Sequence, residues 1–405
     1  MLPLCGDISW IGMSREMRCD VLVIGGGPAG LMAARYAAKQ GSKVLLLEAK
    51  EAFGLKPCGE GVSSACFETA ELPPSSDIVL EKIRGFEVYA PDETKKVRLV
   101  SEGEVQGYII DKKMFLKRMA EVAVGCGAEI LTNIKVDDVE LVDDGVVSRA
   151  CGGAGKLMVR AKLVIGCEGY TSIVARKFFD RSNYELIPCV QYRMKNVNLP
   201  YNDVLMFYVG NNVAPGGYAW VFPRGNKVAN VGLGVRWGGP AINYLKAFVK
   251  KHRDLFEKAE VVDFGAAAVP VGGMLKGIVA DKLMLCGDSA GQVIPLTGGG
   301  IHSSIAAGKI GGEVAGRAVV KGDASLQALS EYPSRYEEPW GSRIRRSLKA
   351  LRAIEKLKDE ELNMLANVLS GDDVVNLANG WDTLKVAVKL MKHPMLALKV
   401  ARNLF

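Results

Sequence analysis

A glycine-rich turn between an apolar strand and a helix constrains this chain more than any other feature of its sequence. The run Val21–Ile24 is followed by Gly25-x-Gly27-x-x-Gly30, then by a helical stretch and a second apolar strand that ends at Glu48. This order predicts a strand–helix–strand unit, the context in which such glycines bind a dinucleotide. The glycines let a pyrophosphate approach the helix N-terminus, and Glu48 is placed to accept hydrogen bonds from a ribose.

Composition excludes several classes of protein. The 405 residues are 49% hydrophobic and 24% charged, which indicates a globular chain of about two to three domains. The net charge of +7 is spread along the whole chain and gives no argument for nucleic-acid binding. Nine cysteines without any C-x-x-C pair favour a reducing cytosol over a zinc ribbon or a disulfide framework.

Metal and membrane-spanning sites are not predicted. His252, His302 and His393 lack metal-ligand spacing, so we propose no metal site. No apolar run of 18 or more uncharged residues occurs, so we do not expect a segment that crosses a bilayer.

The predicted secondary structure changes along the chain. Between Tyr184 and Val271, short aromatic-rich strands and turns predict an antiparallel sheet inserted into the dinucleotide-binding fold. A buried strand returns at 282–288, a long helix is predicted over 300–320, and the chain after Leu326 is helical, with Pro339, Gly371 and Pro394 as breakers. The predicted divisions are a disordered tail over 1–18, the dinucleotide-binding domain over 19–83, 107–180 and 276–325, the inserted substrate-binding β domain over 84–106 and 181–275, and the C-terminal helical region over 326–405.

Four later segments carry a family resemblance. Leu285–Gly291 contains a Gly-Asp motif and is followed by the glycine-rich run Pro295–Ile301. Pro57–Gly61 reads Pro-Cys-Gly-Glu-Gly, and Pro215–Pro223 reads Pro-x-x-Tyr-x-Trp-x-Phe-Pro. In these segments the chain resembles the geranylgeranyl reductase family of the aromatic-hydroxylase flavoprotein superfamily.

The resemblance implies an α/β fold with an FAD-binding Rossmann-like (GR2-type) domain, an inserted antiparallel-sheet substrate domain and a C-terminal helical region. It places Asp288 on the ribityl chain of FAD and the helix after Gly300 against N1 and O2 of the flavin, where backbone N–H groups stabilise negative charge. The predicted cofactor-binding residues are Gly25, Gly27, Ala29, Gly30, Glu48, Cys58, Gly59, Gly61, Lys112, Val136, Asp288, Gly298, Gly299, Gly300 and Ile301.

An aromatic stripe and one cysteine are candidates for substrate contact. In a strand, Tyr218, Trp220 and Phe222 share one face, which is either an ordinary core face or, as the resemblance implies, one wall of a tunnel for isoprenoid chains. A lone cysteine is usually a buried hydrophobe, but the resemblance places Cys58 beside the flavin, where it is our candidate catalytic residue.

The chain departs from the family pattern at two places. Glu168 stands in Cys167–Ser172, where relatives usually carry an Asp-Gly pair. Lys112 stands where relatives carry an arginine that touches the cofactor, and a lysine keeps the charge but not the bidentate fork.

The resemblance implies FAD-dependent saturation of C=C bonds in geranylgeranyl chains, such as those of digeranylgeranylglycerol (phospho)lipids in archaeal membrane lipid biosynthesis. Hydride from reduced flavin N5 and a proton would add across the double bond, with reduced ferredoxin, NAD(P)H or another reductant as electron donor. Two alternatives stay open from the sequence: an FAD-dependent aromatic monooxygenase, and a dehydrogenase that passes electrons from flavin to quinone.

The C-terminal stretch from Asp382 to Phe405 alternates apolar residues with basic ones at helical spacing. Such a helix either packs on a domain core or lies in a membrane interface. We predict a cytoplasmic protein that is peripheral on the inner face of the membrane. The basic residues of the stretch are Lys385, Lys389, Lys392, Lys399 and Arg402.

Overall fold

The computed structural model describes residues 15–153 and 155–393, so residues 1–14 of the predicted tail over 1–18 and the basic residues Lys399 and Arg402 lie outside the described residues. In chain order the strands are β1 (Arg15–Ile24), β2 (Val44–Leu47), β3 (Gly61–Ser63), β4 (Val79–Ile83), β5 (Gly85–Tyr89), β6 (Lys96–Val100), β7 (Gly107–Ile110), β8 (Glu129–Leu131), β9 (Ile134–Val142), β10 (Gly145–Gly152), β11 (Gly155–Gly166), β12 (Leu186–Lys195), β13 (Val204–Val209), β14 (Tyr218–Pro223), β15 (Ala229–Gly234), β16 (Glu260–Pro270), β17 (Val279–Ala280) and β18 (Leu283–Leu285).

The helices in chain order are α1 (Pro28–Lys39), α2 (Ser64–Ala70), α3 (Lys112–Gly125), α4 (Ile173–Phe178), α5 (Ala241–Lys251), α6 (Arg253–Phe256), α7 (Ile301–Lys321), α8 (Leu326–Leu329), α9 (Glu331–Tyr336), α10 (Ser342–Ile354), α11 (Asp359–Val368), α12 (Gly371–Asn379) and α13 (Thr383–Met391). The helix predicted over 300–320 is confirmed as α7, and the strand predicted at Tyr218–Pro223 is confirmed as β14.

An eight-stranded sheet forms the dinucleotide-binding layer. Its strand order is β17-β18-β11-β1-β2-β8, with β10 and β9 added beside β11. The strands β18, β11, β1, β2 and β8 are parallel, and β2 is buried along its whole length, as expected for a sheet covered on both faces. β1 begins at Arg15, inside the predicted tail, because its pairing with the long strand β11 extends from Arg15 to Ile24.

Helices α1 and α7 pack unusually closely beside this sheet. A Cβ atom at Gly308 would lie 2.1 Å from the carbonyl oxygen of Ala29, and one at Gly312 would lie 2.3 Å from that of Ala33. Glycine on α7 and alanine on α1 recur every fourth residue, so the two helices meet through small side chains along one face. This contact brings the N-termini of both helices to the same region.

A mixed seven-stranded sheet makes the second layer. Its order is β16-β12-β15-β14-β13-β5-β6, and only the β13–β5 pair is parallel, where an antiparallel sheet was expected. The parallel pair arises because the β5–β6 hairpin comes from an earlier part of the chain. One face packs through Val221 and Leu233 against Leu245 and Phe248 of α5. Residues 84–106 and 181–275 supply all seven strands, and we retain the division into domains as our proposal.

The C-terminal helices pack through their own apolar cluster, which includes Ala350, Leu357, Leu377 and Leu390. Pro339 was expected to break the helical run, but it lies in a π-helical turn over Glu337–Gly341 that leads directly into α10. A three-stranded sheet of order β3-β7-β4 completes the fold.

Candidate active site

The glycine-rich turn has one open position and two crowded ones. Gly25 has a φ of 103°, and a Cβ there would lie 2.4 Å from the carbonyl oxygen of Cys167. A Cβ at Gly30 would lie 1.8 Å from the carbonyl oxygen of Gly25, whereas one at Gly27 meets no atom within 4 Å. Gly27 is also the N-cap of α1 and leaves the first helical N–H groups without a side-chain partner. The turn is therefore an open cradle at a helix N-terminus, suited to a pyrophosphate.

A single cavity of about 1730 Å³ runs from this turn into the seven-stranded sheet and the C-terminal helices. Pockets for one drug-sized ligand are about 300–1,000 Å³, so this cavity has room for a dinucleotide and a further ligand. The predicted site residues that line it are Gly25, Gly27, Ala29, Glu48, Cys58, Gly59, Gly61, Lys112, Val136, Tyr218, Trp220, Phe222, Asp288, Gly298, Gly299, Gly300 and Ile301.

Gly30 does not line the cavity, and its contact with the cofactor stays a prediction. Its backbone lies beneath the turn, close to the carbonyl of Gly25. The glycine is required there for close packing of the turn on α1.

Glu48 and Val136 lie at the dinucleotide end of the cavity. One carboxylate oxygen of Glu48 accepts a hydrogen bond from the Gly26 N–H at 2.6 Å, and the other accepts from the Lys50 N–H at 2.8 Å. These bonds hold the carboxylate beside the turn, where its remaining lone pairs face the predicted ribose position. Val136 lies on β9 and is buried.

Asp288 is held by residues that the sequence did not single out. Its carboxylate lies 2.7 Å from Nζ of Lys56, and its carbonyl oxygen accepts from the Tyr184 hydroxyl at 2.6 Å. Burial lowers the pKa of Lys56, but the Asp288 carboxylate, with smaller contributions from Cys58 and Tyr170, raises it, and the net shift is upward. Lys112 is buried and donates from its ammonium to the carbonyl oxygen of Lys56. The lysine at the arginine position thus supports the loop that carries Lys56.

The loop Pro57–Gly61 is anchored on the seven-stranded sheet. Glu60 is buried with a φ of 67°, and its carboxylate accepts from Nε of Arg224 at 2.7 Å and Nδ2 of Asn230 at 2.9 Å. Nε2 of Gln191 donates to the carbonyl oxygen of Cys58 at 3.0 Å. The backbone around Cys58 is therefore positioned by three polar side chains of β12, β15 and the turn after β14. Only Glu60 had a signal in the sequence, as part of the Cys-Gly-Glu-Gly stretch.

The aromatic residues of β14 face the cavity, while their neighbours face the protein core. Tyr218 and Trp220 have ring centroids 5.9 Å apart, and those of Trp220 and Phe222 are 6.5 Å apart. Phe207 of β13 extends this wall, with its centroid 5.2 Å from that of Phe222. Ala219, at an alternate position, belongs to the core beneath α5. Sequence reasoning missed Phe207 because its cross-strand neighbours are set by sheet register.

The glycine-rich run before α7 is folded against this wall. The Gly298 N–H donates to the carbonyl oxygen of Ile294 at 2.9 Å, and the Tyr218 hydroxyl donates to the carbonyl oxygen of Thr297. Burial raises the pKa of Tyr218, which keeps the hydroxyl protonated. Gly300 is the N-cap of α7 without a side-chain hydrogen bond, so the first helical N–H groups are left for another acceptor.

The structure shows which groups Glu168 and His302 contact. Glu168 caps α4, because its carboxylate accepts from the Ser172 hydroxyl at 2.8 Å and from the Ile173 N–H at 3.1 Å. His302 follows Ile301 on α7, and its ring lies 2.7 Å from the Thr69 hydroxyl and 4.8 Å, between centroids, from Trp340. Burial, with a smaller contribution from Arg343, lowers the pKa of His302 to about 4.

The far part of the cavity is lined by leucine and isoleucine side chains of the C-terminal helices, which the sequence did not assign to the site. They are Leu351, Ile354, Leu357, Leu362, Leu365 and Leu369.

Comparison with known proteins agrees with this geometry. Residues 18–180 match the FAD binding domain, and residues 185–269 match the geranylgeranyl reductase catalytic domain. The chain is 34% identical to digeranylgeranylglycerophospholipid reductase 1 of Methanosphaera stadtmanae, over 96% of both chains. It is 36% identical to digeranylgeranylglycerophospholipid reductase 2 of Methanopyrus kandleri, over 96% of this chain and 100% of that one.

The chain belongs to the geranylgeranyl reductase family. A crystal structure of a geranylgeranyl bacteriochlorophyll reductase-like protein from Thermoplasma acidophilum matches it with a TM-score of 0.87 at 30% identity, over 96% of this chain and 100% of that chain. A flavin-dependent brominase at 17% identity and a TM-score of 0.69 shares the fold alone. The predicted family, α/β fold and enzyme class are confirmed.

FAD is the cofactor of this geranylgeranyl reductase family member, as predicted. The open space at Gly27 and the uncapped N-terminus of α7 fit a diphosphate and an anionic ring. Residues at the glycine turn, Glu48, Asp288 and the run before α7 would hold it, and their individual contacts remain our prediction.

Proposed function

We propose that this chain saturates C=C bonds of geranylgeranyl chains in digeranylgeranylglycerophospholipids. The observation that carries the proposal is the continuity of one cavity, which joins the dinucleotide cradle to an apolar channel lined by the aromatic wall and the C-terminal helices. The assignment of relatives as digeranylgeranylglycerophospholipid reductases supports the lipid class.

When bound and reduced, FAD supplies a hydride. The chain's own residues have three tasks: to hold an apolar chain in one orientation, to exclude water and to support positive charge that develops when an isolated alkene accepts a proton. The faces of Tyr218, Trp220 and Phe222 supply negative electrostatic potential for that charge. We propose that Cys58, on its anchored loop, positions the chain or relays the proton. Hydride and proton together add two hydrogens across the double bond.

Incubation with a digeranylgeranylglycerophospholipid under anaerobic conditions tests the reaction. Dithionite reduces the protein in this assay, so the result is independent of the electron donor. Mass spectrometry is expected to show a gain of two hydrogens for each saturated bond. Unchanged lipid in the presence of fully reduced, FAD-loaded protein would reject the proposed reaction.

We infer that reduced ferredoxin, NAD(P)H or another reductant supplies the electrons in the cell. Oxidised protein mixed with each donor under anaerobic conditions tests this, since the donor must bleach the flavin absorbance at a rate at least equal to turnover.

We also propose that α13 contacts a membrane surface. Among residues 15–153 and 155–393, no helix is long and apolar enough to cross a membrane. Val386, Ala387 and Leu390 of α13 are buried, but the opposite side exposes Leu384 and Val388 beside lysines. An apolar stripe with adjacent cations suits an anionic lipid interface.

The ion pairs of α13 decide which lysines can test this contact. Lys389 pairs with the buried carboxylate of Asp373, so reversing its charge would disturb folding, whereas Lys385 and Lys392 are exposed. We expect sedimentation with anionic vesicles at low salt, and weaker sedimentation at high salt or in K385E/K392E. Equal sedimentation of wild type and variant would reject a role for this helix.

A further inference from the structure

Arg343 lies in the cavity wall between two tryptophans. Its guanidinium carbon is 4.3 Å from the ring centroid of Trp340 and 4.8 Å from that of Trp381, and all three residues line the cavity. Trp381 is also 44% exposed, which places this part of the cavity near the protein surface. The guanidinium therefore stands where the apolar channel approaches solvent.

The charge of Arg343 is not neutralised within the described part of the chain. No carboxylate there lies within 4.0 Å of Arg343 or of Arg346, one turn later on α10. The neighbouring arginines of the same helix differ, because Arg345 pairs with Glu337 and Arg352 pairs with Glu185. A half-buried cation without a counter-charge is costly, which makes it a ready site for an anion.

Helix capping uses only some of the guanidinium N–H donors of Arg343 and Arg346. Nε of Arg343 donates to the carbonyl oxygen of Asn379 at 3.2 Å, and Nη2 donates to the side-chain oxygen of Asn379 at 3.0 Å. Nε of Arg346 donates to the carbonyl oxygen of Gly380. These bonds serve the C-terminal end of α12. They leave Nη1 of Arg343 with no hydrogen-bond acceptor in the described structure, and the described residues place no carboxylate within 4.0 Å of that guanidinium.

We propose that Arg343 binds the phosphate of the lipid head group at the mouth of the cavity. This rests on the proposed function, and it makes the phosphate a determinant of substrate choice. Arginine suits the task because its planar fork binds phosphate oxygens through charge-assisted hydrogen bonds. The two indole rings fix the guanidinium plane, while the apolar side chains beyond it accept the isoprenoid chains.

The decisive measurement is the ratio of kcat/KM for two lipids, digeranylgeranylglycerol with and without a phosphate. We expect wild type to prefer the phosphate-bearing lipid, and R343Q to lower that preference by about tenfold or more. R343K retains charge without the fork and should fall between them. R345Q is the matched control, since it removes one positive charge from the same helix away from the cavity, and it should keep the wild-type ratio.

A change that is only structural would lower activity on both lipids and leave their ratio unchanged, which would overturn the proposal. An equal effect of R345Q and R343Q on the ratio would also overturn it, because the effect would then be general electrostatics. Inorganic phosphate is the third arm. If it protects wild type against thermal unfolding as strongly as the phosphate-bearing lipid does, the site is one for free anions and the head-group assignment is wrong.

A binding arm separates this proposal from the reductase proposal. The saturated forms of the same two lipids need no turnover, and quenching of tryptophan fluorescence reports their binding. If wild type reduces neither lipid yet binds the saturated phosphate-bearing one more tightly through Arg343, the proposed reaction fails and the head-group site stands. If both saturated lipids bind equally well, the head-group site fails whatever the reaction.

Discussion

The two ends of the cavity differ in the atoms that form them, which are mainly backbone atoms at the dinucleotide end and side chains at the lipid end. At the dinucleotide end, backbone atoms form the cradle: Gly27 leaves open space, and the N-termini of α1 and α7 present N–H groups, with side chains such as Glu48 beside them. At the lipid end, the surface consists of side chains from β13, β14 and the C-terminal helices. A backbone-built site depends on a few glycines close in sequence, whereas a side-chain-built site depends on how distant elements pack.

Substitutions in the glycine-rich turn are expected to have the largest effects, on folding and on FAD binding. Gly30→Val is expected to prevent folding, because its Cβ would lie 1.8 Å from the Gly25 carbonyl oxygen. Gly27→Val should fold with a near-normal Tm, because its Cβ meets no atom within 4 Å, but it should lose FAD by filling the pyrophosphate cradle. Circular dichroism and flavin absorbance measure both. A Gly27→Val protein that purifies with full flavin occupancy would show that the turn is not the cradle.

Adjacent residues of β14 test the lipid end. Val221→Ala, in the core, should cost about 2 kcal/mol of unfolding free energy and keep activity per folded molecule. Trp220→Ala opens onto the cavity and loses a hydrogen bond to Gln191, so it should cost about 1 kcal/mol but lower lipid reduction by an order of magnitude. Chemical denaturation and single-turnover assays separate the two. A large loss of stability in Trp220→Ala with unchanged turnover would assign the stripe to the core.

His302 lies in the first turn of α7, and its lowered pKa predicts a pH effect. Its pKa is about 4 in the folded protein and about 6.5 in the unfolded chain, so the unfolded chain binds the extra proton between those values. The free energy of unfolding should therefore fall as pH drops from 6.5 to 4, by on the order of 2 kcal/mol. Urea denaturation should show a shallower pH dependence in His302→Gln. Parallel pH profiles for the two proteins would mean that His302 titrates normally.

Substitution of Cys58 is expected to have the smallest effect, a slower rate of lipid reduction. Cys58→Ser should keep FAD and stability, because the loop is held through the carbonyl of Cys58 and the carboxylate of Glu60. The thiol sulfur also accepts a hydrogen bond from the Glu60 N–H at 3.3 Å, and a serine oxygen can accept the same bond. Lipid reduction should slow several-fold if the thiol positions the chain or relays a proton. Cys126→Ser, outside the cavity, is the control. Wild-type turnover in both Cys58→Ser and Cys58→Ala would assign this thiol to packing.

How well the sequence predicted each site residue depends on whether backbone or side-chain contacts define its place. Gly25, Gly27 and the run before α7 were identified from sequence because a tight turn at a helix N-terminus needs its residues in a fixed order. At Gly30 the sequence shows that a glycine is needed, and the structure shows that the atom approaching it is the carbonyl oxygen of Gly25. Lys112 lines the cavity, but the sequence did not predict its partner, the carbonyl oxygen of Lys56.

The sequence by itself determined the strand–turn–helix unit, the alternation that puts Tyr218, Trp220 and Phe222 on one face, and the family. Each depends on local spacing or on motifs that are contiguous in the chain. Only the tertiary structure decided that Phe207 joins the aromatic wall, that Glu60 is held by Arg224 and Asn230, and that Arg343 lines the cavity without a carboxylate partner among residues 15–153 and 155–393. These relations join residues far apart in sequence, because sheet register and helix packing, rather than local backbone preference, bring them together.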